Sequence, residues 1–174
     1  MEIKARYEHT KYGNFMFNLC RKGTLFLSKH RFLYYLLNFT WGILGIILGL
    51  IVTVGLGIAK IFNHKIKFEK FDWVYCIKVS PDYWGGFEAG CCFVRDLKSS
   101  ESVNRHEFGH SFQNAILGPF MILLVSIPSA IRYWYQAIRE KKGKENKPYD
   151  SFWAEDSATT CGTYVHDLLN NTKK

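Results

Sequence analysis

Apolar residues are concentrated in one long stretch in the first third of the chain, at positions 32–59. The stretch reads FLYYLLNFTWGILGIILGLIVTVGLGIA and contains no charged residue across its 28 positions. At about 1.5 Å per residue, a helix of this length exceeds the roughly 30 Å that a bilayer core requires. We therefore expect a transmembrane helix, with Gly45 and Gly49 forming a face that another helix could approach closely. The alternative is a buried helix of a soluble protein, but the stretch is longer and more uniformly apolar than most cores allow.

A second apolar stretch, residues 115–131, is interrupted by Gly118-Pro119 and again by Pro128. The uninterrupted part between the two prolines would be about 12 Å long as a helix, which is too short to cross a bilayer. We expect a re-entrant or interfacial hairpin here, followed by a surface helix from Ser129 to Lys141. A helix packed on a soluble core is the alternative for residues 129–141.

Residues between the two apolar stretches alternate in the manner of β-strands. Positions 73–79 alternate with a period of two, Ser80-Pro81-Asp82 is typical of a turn, and a second strand is predicted over 87–95. We expect an α+β fold with a short β-hairpin or small sheet. It would comprise one domain at 60–174, preceded by a basic segment at 1–31 and the membrane helix at 32–59.

Charge and cysteine content indicate which partners and which cellular compartment to expect. The net charge is +8, and basic residues are concentrated at positions 4–31 and 141–147, which favours attraction to anionic lipid headgroups. The sequence contains no nucleic-acid recognition module, so a nucleic-acid partner is not expected. The five cysteines have neither a Cys-x-x-Cys spacing nor an even count, which predicts free thiols and a reducing compartment. We therefore expect the catalytic portion to face the cytoplasm, with the amino terminus on the other side.

The strongest chemical signal is the pentapeptide His-Glu-Phe-Gly-His at positions 106–110. On a helix, His106 and His110 lie on one face a turn apart, so that both imidazoles can bind one Zn²⁺. A catalytic zinc keeps one position for a water and lowers the pKa of that water to about 7. Glu107 stands beside this position and is the predicted general base. The alternative is a solvated polar helix whose histidines bind nothing.

Two histidines alone do not hold a catalytic zinc, and a downstream helix predicted to begin near position 150 supplies candidates for the third ligand. Glu155 is the favoured ligand, and Asp156 as ligand or Glu155 as an ordinary exposed carboxylate are the alternatives. Here the chain resembles the gluzincin metallopeptidases, whose third ligand is a helical Glu in a Glu-x-x-Ala-Asp type pattern. Glu155 and Ala158 match this pattern. Thr159 stands where the family has Asp, so the resemblance implies that Asp156, Asp150 or Thr159 itself orients a ligating histidine.

A longer stretch, from position 41 to position 162, resembles a group of small, functionally uncharacterised bacterial membrane proteins. The shared residues are His-Glu-Phe-Gly-His-Ser, Gly-Pro, Ile-Pro-Ser-Ala-Ile-Arg-Tyr-Trp-Tyr and Trp-x-Glu-x-x-Ala-Thr, at positions 106–111, 118–119, 127–135 and 153–159. The resemblance implies a bacterial or phage source and a location in the bacterial cytoplasmic membrane. A looser resemblance is to membrane-bound gluzincins that also place apolar helices between their His-Glu-x-x-His motif and their Glu.

These features together predict a membrane-anchored zinc metallopeptidase with zincin-like helices, which hydrolyses peptide bonds with Glu107 as general base. Tyr149 or Tyr164 is expected to stabilise the oxyanion, on residue type alone. The expected partners are a peptide or protein substrate and the lipid bilayer. The alternative is a non-catalytic membrane protein whose zinc site is structural or degenerate.

Overall fold

The computed structural model describes residues 2–80 and 85–171, which form an α+β fold. Within these residues there are six α-helices and a four-stranded sheet. The helices are α1 (Lys11–Leu27), α2 (Arg31–Phe39), α3 (Ile43–Phe62), α4 (Glu101–Leu117), α5 (Ile127–Lys141) and α6 (Trp153–Asn171). The strands are β1 (Lys67–Phe71), β2 (Val74–Val79), β3 (Gly86–Ala89) and β4 (Cys92–Asp96).

The sheet has the order β1-β2-β4-β3, so that β1 and β3 are its edges. β1 pairs with β2 and β3 with β4 in antiparallel hairpins, whereas β2 and β4 run parallel at the centre. The segment predicted as a single strand over 87–95 is a hairpin that turns at Gly90, where φ is 69°. β1 was not predicted, because its sequence Lys-Phe-Glu-Lys-Phe is mostly charged and does not alternate strictly.

The two faces of the sheet are covered by different helices. Ile77, Cys92 and Val94 belong to a cluster with apolar residues of α3. Phe93, on the opposite face, packs in a cluster with Phe108 of α4 and with the start of β2. Alternate residues of a strand point to opposite faces, so the sheet separates α3 from α4. The fold is therefore layered, with α3 on one side of the sheet and the helices of the candidate site on the other.

The apolar stretch at 32–59 forms two helices, α2 and α3, rather than the single helix expected. Polar residues within the stretch hold α2 against α4: the Tyr34 hydroxyl donates to Ser111 Oγ over 2.7 Å, and Asn114 Nδ2 donates to Asn38 Oδ1 over 2.8 Å. Tyr34 and Asn38 are both buried. Among the described residues, α3 is the one helix long and apolar enough to cross a membrane.

Gly45 and Gly49 face the protein itself rather than a partner helix. A Cβ on Gly45 would lie 2.6 Å from Asn114 Oδ1, and a Cβ on Gly49 would collide with the backbone carbonyl of Ala89. The close approach that these glycines permit is used within the chain. Gly45 thus meets a residue of another helix of the same chain, Asn114 of α4, and association with a helix of a second protein stays a prediction.

The second apolar stretch also differs from its prediction at Pro128. As expected, α4 ends at Leu117, and Gly118 has a φ of 57°. Beyond it, however, the backbone is helical without a break from 120 to 141, with a π-helical turn at Ile122–Ser126 just before the proline. The wider π turn accommodates the missing amide hydrogen of Pro128, so the helix continues past it. α5, the last part of this helix, has no buried residue.

α4 and α6 cross at very short distance, and this crossing determines where the site residues lie. A Cβ on Gly109 would collide with the backbone of Ala158, and a Cβ on Gly162 would collide with the backbone carbonyl of Arg105. The two glycines therefore let the helix backbones touch. Because Gly109 lies inside the His-Glu-Phe-Gly-His motif, this crossing brings the motif directly beside the first turns of α6.

Candidate metal centre

The two histidines of the motif lie one turn apart on α4 and point to the same place. Their Nε2 atoms are 3.1 Å apart, and the ring planes are nearly perpendicular at 89°. The helical spacing of four residues produces this proximity, as the sequence predicted. A single cation between the rings could contact both nitrogens.

Glu155 approaches the histidines from the first turn of α6. Its Oε2 atom lies 3.1 Å from His106 Nε2 and 3.5 Å from His110 Nε2, and its side chain is 1% exposed. The donor atoms of the three residues all lie within 4.8 Å of one another. This group could therefore hold a metal ion, and the prediction that Glu155 joins the histidines agrees with this geometry. An exposed carboxylate, the alternative for Glu155, does not.

Each histidine is held by a second residue at its other ring nitrogen. His106 Nδ1 lies 2.8 Å from Thr159 Oγ1, and His110 Nδ1 lies 2.7 Å from Gln113 Oε1. A histidine that binds a metal through Nε2 carries its proton on Nδ1 and donates it to such a partner. Of the three residues that the gluzincin resemblance offered for orienting a histidine, Asp156, Asp150 and Thr159, it is Thr159 that contacts His106. Gln113 was not predicted, although its place three residues after His110 on the same helix face was readable from the motif.

Gln113 connects the two ligand-bearing helices. Its Nε2 atom donates to the carbonyl of Ala154 over 2.8 Å and to Ser157 Oγ over 2.7 Å, while its Oε1 atom meets His110. The side chain is 1% exposed. Its amide therefore fixes His110 and the first turn of α6 relative to each other.

The second oxygen of Glu155 has its own partner, which comes from α5. The Ser129 hydroxyl donates a short hydrogen bond to Glu155 Oε1, and the Tyr149 hydroxyl donates to the carbonyl of Ser129 over 3.2 Å. Oε1 is thereby turned away from the histidines and Oε2 towards them. The sequence did not reveal Ser129, because its contact with Glu155 joins residues 26 positions apart.

Glu107 is buried beside the ligand group, and its Oε2 atom has no hydrogen-bond partner among the described residues. Burial raises the pKa of its carboxyl group, and the positive charges of His106 and His110 oppose that rise. A buried carboxylate oxygen without a partner is costly in an ordinary interior. It fits a site in which a further group lies between Glu107 and the ligands.

The charges of the ligand group itself favour a deprotonated carboxylate. Burial alone would raise the pKa of Glu155, but hydrogen bonds from His106 and His110 hold that pKa well below its usual range. Burial would likewise lower the pKa of His110, yet its hydrogen bond to Glu155 and the charge of Glu155 raise that pKa to about 9. The negative charge of Glu155 and the two imidazoles therefore stabilise each other.

Asp156 and Asp150 are bound by the amino-terminal segment and are not ligands. The fully buried Asp156 accepts hydrogen bonds from Arg6 N and Arg6 Nε and lies 3.0 Å from His9 Nε2. Asp150 pairs with Arg6 Nη2 at 2.8 Å. Asp156 as the third ligand, the alternative considered above, is therefore wrong. The expectation that a membrane separates the amino terminus from the site is wrong as well, since Arg6 touches the residue next to Glu155.

The two tyrosines considered for the oxyanion have different surroundings. The Tyr149 hydroxyl donates to the carbonyl of Ser129, whose own hydroxyl bonds to Glu155, and burial together with the charges of Glu155 and Glu107 raises the pKa of Tyr149. Tyr164 packs against apolar clusters that include Phe17, Cys161 and Val165. Of the two, Tyr149 is at the site. α6 itself begins at Trp153, after a short 3₁₀ turn at Tyr149–Ser151, rather than near position 150.

A further carboxylate, Glu88, faces the site from the edge strand β3 and was not predicted. Gly86, two residues earlier on the same face of the strand, is so close to Glu107 that a Cβ on it would lie 2.9 Å from Glu107 Oε1. Burial raises the pKa of Glu88 to about 7, with the charge of His110 lowering it and that of Glu107 raising it. No signal in the sequence distinguished Glu88 from an ordinary strand residue.

Comparison with family models, with characterised proteins and with solved structures finds no match for this chain. What the arrangement can do follows from its residues. Two imidazoles and one carboxylate converge on one point, a second carboxylate lies beside them, and an edge strand passes close to that carboxylate.

Proposed function

We propose that this protein is a zinc metallopeptidase attached to a membrane. The observation that carries the proposal is the convergence of His106, His110 and Glu155 beside the unpartnered carboxylate of Glu107. Two imidazoles and one carboxylate are a complete protein ligand set for a catalytic zinc, which is usually four-coordinate and keeps one position open. Imidazole ligands favour zinc over magnesium and calcium, which prefer oxygen.

A zinc ion held by these three residues would polarise a carbonyl group and supply a water of lowered pKa. In the proposed reaction Glu107 takes a proton as the peptide bond is attacked and later gives it to the leaving amine. The burial of Glu107 suits this role, because burial raises the pKa of its carboxyl group towards neutral pH. A group with such a pKa can both accept a proton and give it back. Tyr149 is the proposed oxyanion donor, a role that would require its hydroxyl to leave the Ser129 carbonyl.

The edge strand β3 supports a peptide as substrate. Its outer edge has no neighbouring strand within the described part of the sheet, and its first residue, Gly86, lies against Glu107. An extended peptide can add to such an edge through main-chain hydrogen bonds and would then run past the base. The lack of a side chain at Gly86 leaves room for this approach.

The membrane attachment is proposed on the apolar exposed surface of α3. Only 11% of the most apolar 18-residue stretch of α3 is buried within the protein. An exposed apolar face of this size is typical of contact with lipid or with another protein. The resemblance described above suggests the bacterial cytoplasmic membrane. The five cysteines are all free thiols, which agrees with a site on the cytoplasmic side.

A non-catalytic protein with a structural metal site is the second candidate, and the burial of the centre favours it. Glu107, His110 and Glu155 are each less than a tenth exposed, and the His106 side chain is 20% exposed. Structural zinc sites are usually closed to solvent, whereas catalytic sites keep one position open.

The two candidates differ in what Glu107 does. The purified protein should contain one zinc per chain and cleave unfolded protein or quenched-peptide libraries. Glu107→Gln should keep the zinc and abolish cleavage, because it removes a proton acceptor and not a ligand. Glu101→Gln, at an exposed position on the same helix, is the matched control and should retain both properties. A zinc-loaded protein that cleaves nothing would favour the structural site, and a protein without zinc would exclude both candidates.

A further inference from the structure

Helix α3 has one face on the protein and one face exposed. Residues at positions 46, 49, 52, 53, 56 and 59 are buried or partly buried, in the spacing of one helical face. The opposite face is exposed and apolar along its length, as at Leu44, Ile51 and Ile58, which are 45%, 65% and 57% exposed. A helix that spanned a bilayer by itself would be surrounded by lipid and would not be covered by protein along one whole side.

The covered face of α3 lies against the sheet from one end of the helix to the other. Thr53 Oγ1 is 3.4 Å from Cys92 Sγ in β4, and Lys60 Nζ lies over the Phe68 ring of β1 at 5.2 Å. From position 46 to position 60 the helix rises about 21 Å. If α3 crossed the bilayer, the sheet would therefore accompany it through most of the hydrocarbon core.

The sheet is not built to lie in hydrocarbon. β1 is an edge strand with exposed Lys67, Glu69 and Lys70, and β3 is the other edge. A lipid-exposed strand edge would leave backbone amides and carbonyls without partners, which bilayers do not tolerate. Charged side chains at that depth would add a further cost. The sheet must therefore remain in water or at the headgroups.

The chain before α3 and the chain after it also touch each other directly. The rings of Tyr34 in α2 and Trp73 are 5.2 Å apart, and the Tyr35 hydroxyl donates to the Trp73 carbonyl over 2.9 Å. Trp73 follows the end of α3 by eleven residues. A single crossing would place Tyr34 and Trp73 on opposite sides of the membrane, where they could not meet.

We infer that α3 lies in the plane of the membrane surface, with its exposed face immersed in one leaflet and both of its ends on the same side. The partner is a bilayer surface that contains anionic lipid. Basic residues at the carboxyl end of α3 and just beyond it, Lys60, Lys65 and Lys67, suit such headgroups, as does the net charge of +8.

A second apolar helix surface adjoins this face. Trp41, just before α3, packs on Phe120 at 6.1 Å, and the helix that begins at Phe120 exposes Leu123 in its first turn. In this orientation the sheet lies above the membrane surface, with the metal centre on its far face and the amino terminus on that same side. The inference rests on the membrane attachment proposed above, not on the proposed chemistry.

The depth of three positions along α3 tests this orientation. Leu44, Ile51 and Ile58 are replaced by Cys in three separate variants, and the new cysteine of each is labelled with a nitroxide. Electron paramagnetic resonance then measures the depth of the label in vesicles of phosphatidylcholine and phosphatidylglycerol. The three positions are seven residues apart, or about 10 Å along the helix per step. An in-plane helix gives similar depths at all three, whereas a spanning helix gives depths that change by about 10 Å per step and would overturn the inference. The unsubstituted protein, with its native thiols, sets the background.

Ser102→Cys, at an exposed position at the start of α4, is the aqueous control. If all three α3 labels were as accessible to water as Ser102→Cys, the membrane attachment itself would be refuted and the inference with it. Zinc content is measured on the same samples, so that a failure of the metal site is seen separately. Circular dichroism checks that each variant is folded.

A charge at the middle of the exposed face gives a second readout. In an in-plane helix, Ile51→Lys should bind the vesicles nearly as well as the wild type, because a lysine can extend its ammonium to the headgroups. Ile51→Glu should bind roughly tenfold less, because its carboxylate meets anionic lipid. In a spanning helix both charges would lie at the bilayer centre and be equally harmful. Equal and severe loss in both variants would therefore contradict the in-plane orientation.

Discussion

Replacing Thr159 by Val removes one hydrogen bond from the candidate metal centre and leaves the shape of the side chain almost unchanged. The bond lost joins Thr159 Oγ1 to His106 Nδ1 at 2.8 Å. Without it, the imidazole keeps Nε2 near the cation but loses the contact that fixes its proton on Nδ1. Loss of such a partner costs about 10-fold to 100-fold in metal affinity, or about 1.4–2.7 kcal/mol.

The structure indicates which end of that range applies. The His106 side chain is 20% exposed, so water can take over part of the role of Thr159. We expect zinc to bind about tenfold more weakly to Thr159→Val, near the lower end of the range. Gln113→Leu should approach the hundredfold end, because the His110 side chain is only 9% exposed and the buried amide of Gln113 also holds α6.

Competition with a fluorescent zinc chelator measures both affinities on protein purified in detergent. The matched control is Thr160→Val, whose hydroxyl donates to the backbone carbonyls of Asp156 and Ser157 in its own helix. It should bind zinc as the wild type does. Thr159→Asp, which introduces the residue that gluzincins have at this position, should bind at least as tightly as the wild type. Wild-type affinity in Thr159→Val, or an equal loss in Thr160→Val, would refute the role given to the Thr159 hydroxyl.

Three further outcomes are expected. Glu155→Ala should lower zinc affinity severely, whereas Asp156→Asn should lower the free energy of unfolding and leave zinc affinity per folded chain nearly unchanged. Thermal and chemical denaturation measure the stability of each variant, and zinc titration of the folded protein measures its affinity. Gly162→Ala should prevent close approach of α4 and α6 and abolish both folding and zinc binding, while Gly55→Ala, with open space around it, should be tolerated. Burial raises the pKa of Glu88 from 4.5 to about 7, so its ionisation opposes folding as the pH rises through 7. Glu88→Gln should therefore be more stable than the wild type by about 1–3 kcal/mol at pH 8 and should gain no stability near pH 4. If the variant and the wild type were equally stable at both pH values, this reasoning would be contradicted.

The parts of the site that could be predicted from the sequence are those set by local spacing. His106 and His110 meet because four residues make about one turn of a helix, and Glu107 follows from its place between them. Glu155 required the gluzincin resemblance to single it out from its neighbour. Ser129 could not be found, because its contact with Glu155 joins two helices that are far apart in the sequence.

The fold shows the same division. The α+β class and the strand at 74–79 followed from hydrophobic periodicity, whereas the break between α2 and α3 did not. That break depends on Asn38 and Asn114, whose amides pair only after α2 has packed on α4. Composition alone could not distinguish a helix covered along one face from a helix surrounded by lipid, because both are uniformly apolar.

The attachment of Arg6 and His9 to Asp156 sets an order of events during synthesis. These pairs join residues 150 and 147 positions apart, so Arg6 and His9 have no access to Asp156 until α6 has been synthesised. Until then the two histidines of the motif are exposed without Glu155, and two imidazoles alone hold zinc weakly. A metal site made of these three residues is therefore complete only once α6 has been made and has packed on α4.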